Sequence, residues 1–377
     1  MANTLSNLIP TIQAGLDKVA RELTGFIPAV SFFPGAEGVA KDQTIRWPIA
    51  PVQTAADITP AATGPAIGDQ TVGSDTMTIS KVRSTKFSWN GDEQVSLQDQ
   101  YGRILADQFA QAMRTLVNEV ETDLAALYVG ASRAYGTAGT TPFASTLGDP
   151  AQVRKILADN GAPTSDMQMV INTSAGAALR TLAQLTKANE AGGDELLRRG
   201  VLLDIHGFAI RESAQVKSHT KGTGASYTSN TAGYAVGATS ITLITGTGTV
   251  LAGDVVTFAG DTNKYIIKTG VAAAGTIVLA APGLKVALAA SAVAMTIGGT
   301  STENMAFDRS AIQLATRTPL MPEGGDSAAD VTTVTDPQSG LSFQVALYKQ
   351  YRTVTYEVGL AWGVKASQPA NIAILLG

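Results

Sequence analysis

Apolar residues recur at steps of three and four in two places along this chain, and at steps of two in several others. Near the start, Leu8, Ile12, Leu16, Val19, Leu23 and Phe26 trace one face of a helix over residues 5–27. Asn7 is placed to cap it, Pro10 sits near its first turn, and Gly25 and Pro28 end it. A helix of that length is marginal alone in water, so its stripe must dock, either on its own domain or on a neighbouring subunit. The second run is longer. Over residues 98–129, Tyr101, Leu105, Phe109, Met113, Leu116, Val120, Leu124 and Leu127 form the apolar stripe, while Asp107, Gln111, Arg114, Asn118 and Glu121 mark the opposite side. With no internal proline, this predicts a spine of roughly 48 Å at 1.5 Å per residue. A coiled coil is the alternative, but no second heptad stripe lies nearby.

Period-two patterns fill the rest. Pro48, Pro51, Pro60 and Pro65 interrupt β-prone pieces at 44–49 and 76–89. In the second piece Met77, Ile79, Lys81, Arg83 and Thr85 share one parity and Thr76, Thr78, Ser80, Val82 and Ser84 the other, so neither face is cleanly apolar. Residues 40–95 therefore read as a long two-stranded excursion that needs outside support. Its Lys81, Arg83, Lys86 cluster is either a solvated edge or a contact to an acidic neighbour, the latter favoured. After a Gly/Thr/Ser/Pro loop at 130–148, the pattern alternates: helix 150–160 ended by Gly161, strand 167–172, helices 174–186 and 194–199, then strand, turn at His206-Gly207 and strand over 201–213.

A polar linker at 217–234 leads to short glycine-punctuated strands at 240–245, 255–259, 264–269, 276–280 and 292–297, the pattern of a small β-barrel or sandwich. The earlier domain resumes near Asn304, a loop spans 318–340, and a β-rich return follows with Phe343, Val345 and Leu347, then Val354, Tyr356, Val358, Leu360 and Trp362, alternating with polar residues. The fold class is α+β.

Composition sharpens this picture in one respect. Only 15% of the 377 residues are charged, against about 25% in an ordinary soluble domain. Either neighbouring subunits cover much of the surface, or the surface is polar without charge, rich in Thr, Ser and Ala. The 45% hydrophobic content rules out a disordered chain. With no Cys, there is no disulfide framework, thiol nucleophile or Cys-ligated metal. The first ten residues lack a signal-peptide pattern, and the most apolar stretch, 286–297, is too short to span a bilayer. A net charge of −4 and a pI near 5.3 lack the basic footprint of a nucleic-acid binder.

Candidate chemistry is sparse. His206 lies in a turn and His219 in the polar linker, neither at metal spacing with a second His and a carboxylate, so both read as solvated or locally hydrogen-bonded. Gly246-Thr247-Gly248 lacks the third glycine and following helix of a dinucleotide site and reads as a turn. Asp261-Thr262-Asn263 begins like a calcium loop without its Gly and terminal Glu, and reads as a hairpin turn. Glu119 and Asp123 lie on the exposed helix face, with nothing favouring a glycosidase-like pair. No catalytic, cofactor or metal residue is assigned.

The order of elements, with Arg21-Glu22-Leu23-Thr24-Gly25-Phe26-Ile27-Pro28, Ala56-Asp57-Ile58-Thr59-Pro60, Asp69-Gln70-Thr71, Trp89-Asn90-Gly91 and the stretches 107–143, 155–163 and 185–214, resembles the major capsid proteins of tailed bacteriophages, the HK97-like fold. Within it the chain looks most like short-tailed phage coat proteins that carry an inserted β-barrel domain. The resemblance implies an N-terminal arm (1–39), an extended β-hairpin loop (40–95), a peripheral domain with the spine helix (96–150 and 330–377), an axial domain (151–216 and 301–329) and the inserted barrel (217–300).

It also implies a non-enzymatic homo-oligomer of hexamers and pentamers forming an icosahedral shell, with no cofactor and no membrane. Assembly would occur in the host cytoplasm with a scaffolding protein and a portal. The procapsid would expand as double-stranded DNA is packaged, enclosed without sequence-specific binding. Some relatives cross-link a loop Lys to a neighbour's Asn. Lys81 and Lys86 lie in that region, but no Asn and catalytic Glu match, so no cross-link is expected. Two rivals differ in class. A Thr/Gly-rich surface adhesin or carbohydrate-binding protein would carry an export signal and has no use for the spine, and a hydrolase using Asp/Glu pairs is weaker still.

Overall fold

The computed structural model describes residues 9–19, 24–34, 38–49, 72–97, 100–182, 185, 204–336 and 340–377. Asn7, Leu8 and Leu23 of the expected arm, residues 50–71 of the expected loop, the expected helix at 194–199 and the start of the strand expected from 201 lie outside these residues. The helices within the described residues include α1 (Ile9–Val19), α2 (Gly91–Leu97), α3 (Tyr101–Ala125), α4 (Gly148–Asp159) and α5 (Thr173–Thr181).

α3 is the spine, and two sheets share it. It runs 25 residues, about 37 Å at 1.5 Å per residue, shorter than expected because the chain tightens into a 3-10 helix at Ala126–Gly130. Leu105, Phe109, Met113, Leu116, Val120 and Leu124 are buried along it, as the stripe predicted. α1 packs on α3 of its own chain, so the docking partner of the arm's described helix is internal, with Ile12 in the shared core.

The first sheet has seven strands. Asp330–Thr335, Ser342–Gln350, Thr353–Ala366, Ile312–Pro319 and Ser31–Phe33 pair in that order, Gly38–Val39 adds to Ile312–Pro319, and Lys81–Asn90 adds to the other edge of Thr353–Ala366. Phe343, Val345 and Leu347, with Tyr356, Val358, Leu360 and Trp362, point into the α3 core, the period-two alternation of a one-sided sheet.

In the second sheet Arg133–Tyr135, Ile372–Leu376, Ser301–Asp308, Met167–Ile171 and Phe208–Glu212 pair in sequence. Its two faces serve two cores. Met305, Phe307, Ile372 and Ile374 join the α3 core, while Ala306, Ala373, Leu375, Met169 and Ile171 pack with Val153, Leu157 and Leu179 of α4 and α5. Strand pairing crosses the segment boundaries expected from sequence. Ile312–Pro319 lies in the sheet of the β-rich return, and Ile372–Leu376 lies in the sheet of Met167–Ile171, because pairing joins strands far apart in the chain.

Lys81–Asn90 corrects a second expectation. It is no unsupported excursion: ten residues pair in register with Thr353–Trp362. Among the described residues, Thr44–Ile49 and Gly73–Thr78 form the two-stranded antiparallel pair. A third correction concerns the polar linker. Ser218–His219 pairs with Ser301–Asp308, and Ala225–Ser229 is a strand with Tyr227 buried. Its signal was weak because its second inward position is Ser229, whose hydroxyl accepts from the Val293 amide at 3.1 Å.

Ala225–Ser229, Ser240–Thr247, Thr276–Leu279, Lys264–Thr269, Val255–Phe258 and Ala294–Ile297 pair antiparallel in that order, and the last returns to the first. Closure removes the exposed edges that six short strands would otherwise present. Tyr227, Ile241, Leu243, Val256, Phe258, Tyr265, Ile267, Ile277 and Met295 fill the interior. Lys264 and Tyr265 pair with Ala134 and Arg133, so the barrel also hydrogen-bonds to the second sheet.

Gly363 lies where Thr353–Ala366 passes under the hairpin base, and a Cβ there would collide with the carbonyl oxygen of Thr78. Gly363→Val should therefore lower stability by about 1–3 kcal/mol, measured by urea unfolding, while leaving the spine core packed by near-UV circular dichroism.

Candidate functional site

The residues singled out for chemistry do not converge. His206 is an exposed turn residue with φ 53°, next to Gly207 at 82°. Asp261 accepts from the Asn263 amide at 2.9 Å and the Tyr265 hydroxyl at 2.5 Å, closing the expected hairpin turn. Gly246 and Thr247 end a strand instead of forming a separate turn, and Gly246, at φ 105°, leaves room for the Tyr227 ring against it. Among the described residues no group of three His, Asp or Glu side chains is placed to hold a metal ion.

What the structure does build is a set of polar anchors on three segments that join the body from outside the spine: the N-terminal segment, the strand Lys81–Asn90 and the barrel. Glu121 is the most buried. It was expected on the exposed side of the spine, yet it is fully enclosed and accepts from the backbone N–H groups of Gly25 (3.3 Å), Phe26 (3.0 Å) and Ile27 (2.8 Å), and from the Ser213 hydroxyl at 2.9 Å. Those amides open the 3-10 turn Ile27–Ala29 and have no intrahelical partner. Burial pushes the Glu121 carboxyl above the ordinary glutamate range, and the four donors pull it back. The signal was present in the sequence. Phe109, Met113, Val117, Glu121 and Ala125 form one step-of-four row in which Glu121 is the only charge and the others are buried.

The basic cluster is the second anchor, and its partners are internal instead of on an acidic neighbour. Lys81 Nζ donates to Asp123 Oδ1 at 2.7 Å, Arg83 Nε to Glu119 Oε2 at 3.2 Å, and Lys86 lies 3.3 Å from Glu357. Asp123 also accepts from the Trp362 indole at 2.8 Å. Further along the same parity, Phe87 packs edge-on to Phe109 at 5.0 Å, and the Trp89 indole donates to Gln108 at 2.6 Å. One face of the strand is thus basic at one end and aromatic at the other because the spine beneath it changes from acidic to apolar. Glu119 and Asp123 are consumed by these contacts and do not form an acid–base pair.

Two smaller anchors complete the set. The hairpin base is tied by Lys365 Nζ to the Asp75 carboxylate and by Phe33 stacked on Trp47 at 5.8 Å. His219 is buried, not solvated: the Tyr128 hydroxyl is 2.9 Å from its Nδ1 and Asp254 Oδ1 is 2.8 Å from its Nε2. Sequence spacing could not find this chain, since its members come from the end of the spine, the linker and the barrel.

No family model and no curated protein matches the chain. Solved structures do. The chain is similar to the capsid structure of the cyanophage P-SCSP1u at 12% identity, covering 94% of this chain and 88% of that one, with a TM-score of 0.50. It is also similar to the capsid of a native GTA particle (10% identity, 94% and 90% covered, TM-score 0.46) and to a Mycobacterium phage Che8 structure (13% identity, 89% and 85% covered, TM-score 0.44). The chain has the fold of the cyanophage capsid structure, an α+β fold matched along nearly its whole length.

Removing the spine carboxylate should cost more than removing a surface one. Glu121→Ala strands buried amides and should destabilise by about 3 kcal/mol or more, whereas Glu121→Gln, which keeps one acceptor, should lose roughly 1–2 kcal/mol. Glu119→Ala should change stability by about 0.5 kcal/mol, because its partner Arg83 is largely exposed. Denaturant titration of the three variants reads all these differences.

Proposed function

We propose that this chain is the major capsid protein of a tailed bacteriophage, assembling in many copies into the icosahedral shell that encloses the double-stranded DNA genome. The observation that carries this is the fold shared with the cyanophage capsid structure over 94% of the chain. The anchors fit the role. A shell subunit must project an arm and a loop without letting their roots shift, and Glu121 and Lys81 fix those two roots to one rigid helix.

In this reading residues 1–39 are the arm, 40–95 the extended loop, 96–150 with 330–377 the peripheral domain, 151–216 with 301–329 the axial domain, and 217–300 an inserted barrel. Strand pairing would knit the peripheral and axial parts together across those boundaries. The subunit forms hexamers and pentamers, builds a procapsid in the host cytoplasm with a scaffolding protein and portal, and expands on packaging. It has no catalytic role. A net charge of −4 suits a wall that confines DNA without adhering to it. The adhesin reading accounts for neither the spine nor the near full-length match.

Electron microscopy of the purified protein, expressed alone and with its scaffold, should show closed shells or tubes; a monodisperse monomer at high concentration in both cases would overturn the reading. Particles boiled in SDS should run as a single monomer band, because Lys81 and Lys86 are engaged by Asp123 and Glu357. A covalent ladder would contradict this expectation.

A further inference from the structure

At the root of the barrel the chain buries a polar cluster larger than packing requires. His219 lies opposite Ser301 across the pair formed by Ser218–His219 and Ser301–Asp308, so their side chains share a face, and Glu303, two residues on, shares it too. The His219 ring has a partner on each nitrogen, the Tyr128 hydroxyl 2.9 Å from Nδ1 and Asp254 Oδ1 2.8 Å from Nε2. Asp254 is further held by the amides of Gly222 (2.9 Å) and Leu251 (2.7 Å). Glu303 is not held in this way. It is 1% exposed, its Oε1 accepts from the Ser301 hydroxyl at 2.5 Å, and its buried Oε2 has no hydrogen-bond partner. An ionised carboxylate with one orphaned oxygen is a costly group to keep dry.

We propose that Glu303 and the Tyr128–His219–Asp254 chain form a protonation-controlled latch at the barrel root, closed while Glu303 is neutral and opening to water more often once it ionises. The four side chains come from four places: the end of the spine, the strand leading into the barrel, the barrel, and the strand leaving it. Closing the cluster therefore fixes the barrel to the body. The charged or titratable groups facing Glu303 are His219 and Tyr128, with Asp254 held on His219 Nε2 and Lys217 on the same strand face across the pair; Ile372–Leu376, which pairs with the other edge of Ser301–Asp308, brings none. Burial, then the nearby carboxylates of Glu303 and Asp254, push the Tyr128 phenol up to about 12, so it stays protonated over the range in which Glu303 titrates.

Burial pushes the Glu303 carboxyl from 4.5 up to about 7, with Ser301 and His219 pulling the other way. The sign follows directly. Between those two values the closed state holds a proton that the open, hydrated state has released. Closure is therefore strongest at low pH, weakens as pH rises to about 7 and is flat above it.

Hydrogen exchange followed by mass spectrometry on the full chain tests this. Peptides spanning 217–222 and 298–303, corrected for the intrinsic chemical rate and read where exchange reports the opening equilibrium, should open about 25-fold more at pH 8 than at pH 5.5. Peptides from α3 at 109–120 should not follow. Glu303→Gln should abolish the pH dependence at the junction. A flat wild-type profile, or the same profile in Glu303→Gln, would overturn the latch. Should that variant fail to fold, the carboxyl carbon shift of Glu303 in the wild-type protein decides, with a midpoint near 7 supporting the latch and one near 4.5 sinking it.

Discussion

The carboxylate of Glu121 sets the constraint on which the rest of the body depends. A segment that crosses from an arm into a core must bury backbone amides that no helix or strand has yet claimed, and Gly25, Phe26 and Ile27 are such a segment. The spine supplies one side chain that takes all three, and the same carboxylate takes the Ser213 hydroxyl at the end of the Phe208–Glu212 strand. Three pieces distant in sequence therefore meet at a point with no freedom to slide. Gly25 reinforces this, since a Cβ would meet Val170 and Ser213 at under 3.0 Å, so the chain lies flush on the second sheet. Only then can Ser31–Phe33 run parallel to Ile312–Pro319 in the first sheet. An ion pair could not do the same work as cheaply, because a buried cation would need desolvating too.

From that point the spine distributes load to both sheets. Its inner side is shared by the alternating residues of Ser342–Gln350 and Thr353–Ala366 and by Met305, Phe307, Ile372 and Ile374, so the two sheets share one core on the spine side. The loop strand Lys81–Asn90 is matched to the spine residue by residue, basic over acidic and aromatic over aromatic. A one-residue slip would turn Lys81, Arg83, Phe87 and Trp89 outward together. Register is consequently fixed by chemistry that varies along the helix, which a uniformly apolar face could not do.

Much of this was legible in the sequence because it is local or periodic. The spine stripe, the β-rich return and the five later barrel strands follow from steps of four or two, and the His206-Gly207 turn from its residue types. The misses have a common cause. Glu121, the strand Lys81–Asn90 and Tyr227 are positions where a polar or mixed pattern is satisfied by a partner far along the chain, and periodicity then reports the wrong side. Two local signals were nonetheless available. The step-of-four row containing Glu121 was one. The other was Asn90 with Glu93, a reciprocal capping box at 2.8 and 3.0 Å that starts α2, a helix the apolar pattern does not reveal.

The low charge content takes on a different meaning once the pairs are located. Lys81, Lys86 and Lys365, with Asp75, Asp123 and Glu357, are engaged within the chain, where they fix register and anchor the loop. Charges paired this way offset one another where they stand, and a chain with 15% charged residues has few others to place on its surface. Covering such a surface with another copy removes few ions from water, and desolvating ions is the largest cost of burying a polar interface. Like-charge repulsion between identical copies falls for the same reason. In the shell proposed above, pairing charges within the chain lowers that cost, and the 15% charged content and the internal pairing of the loop's basic cluster both act in that direction.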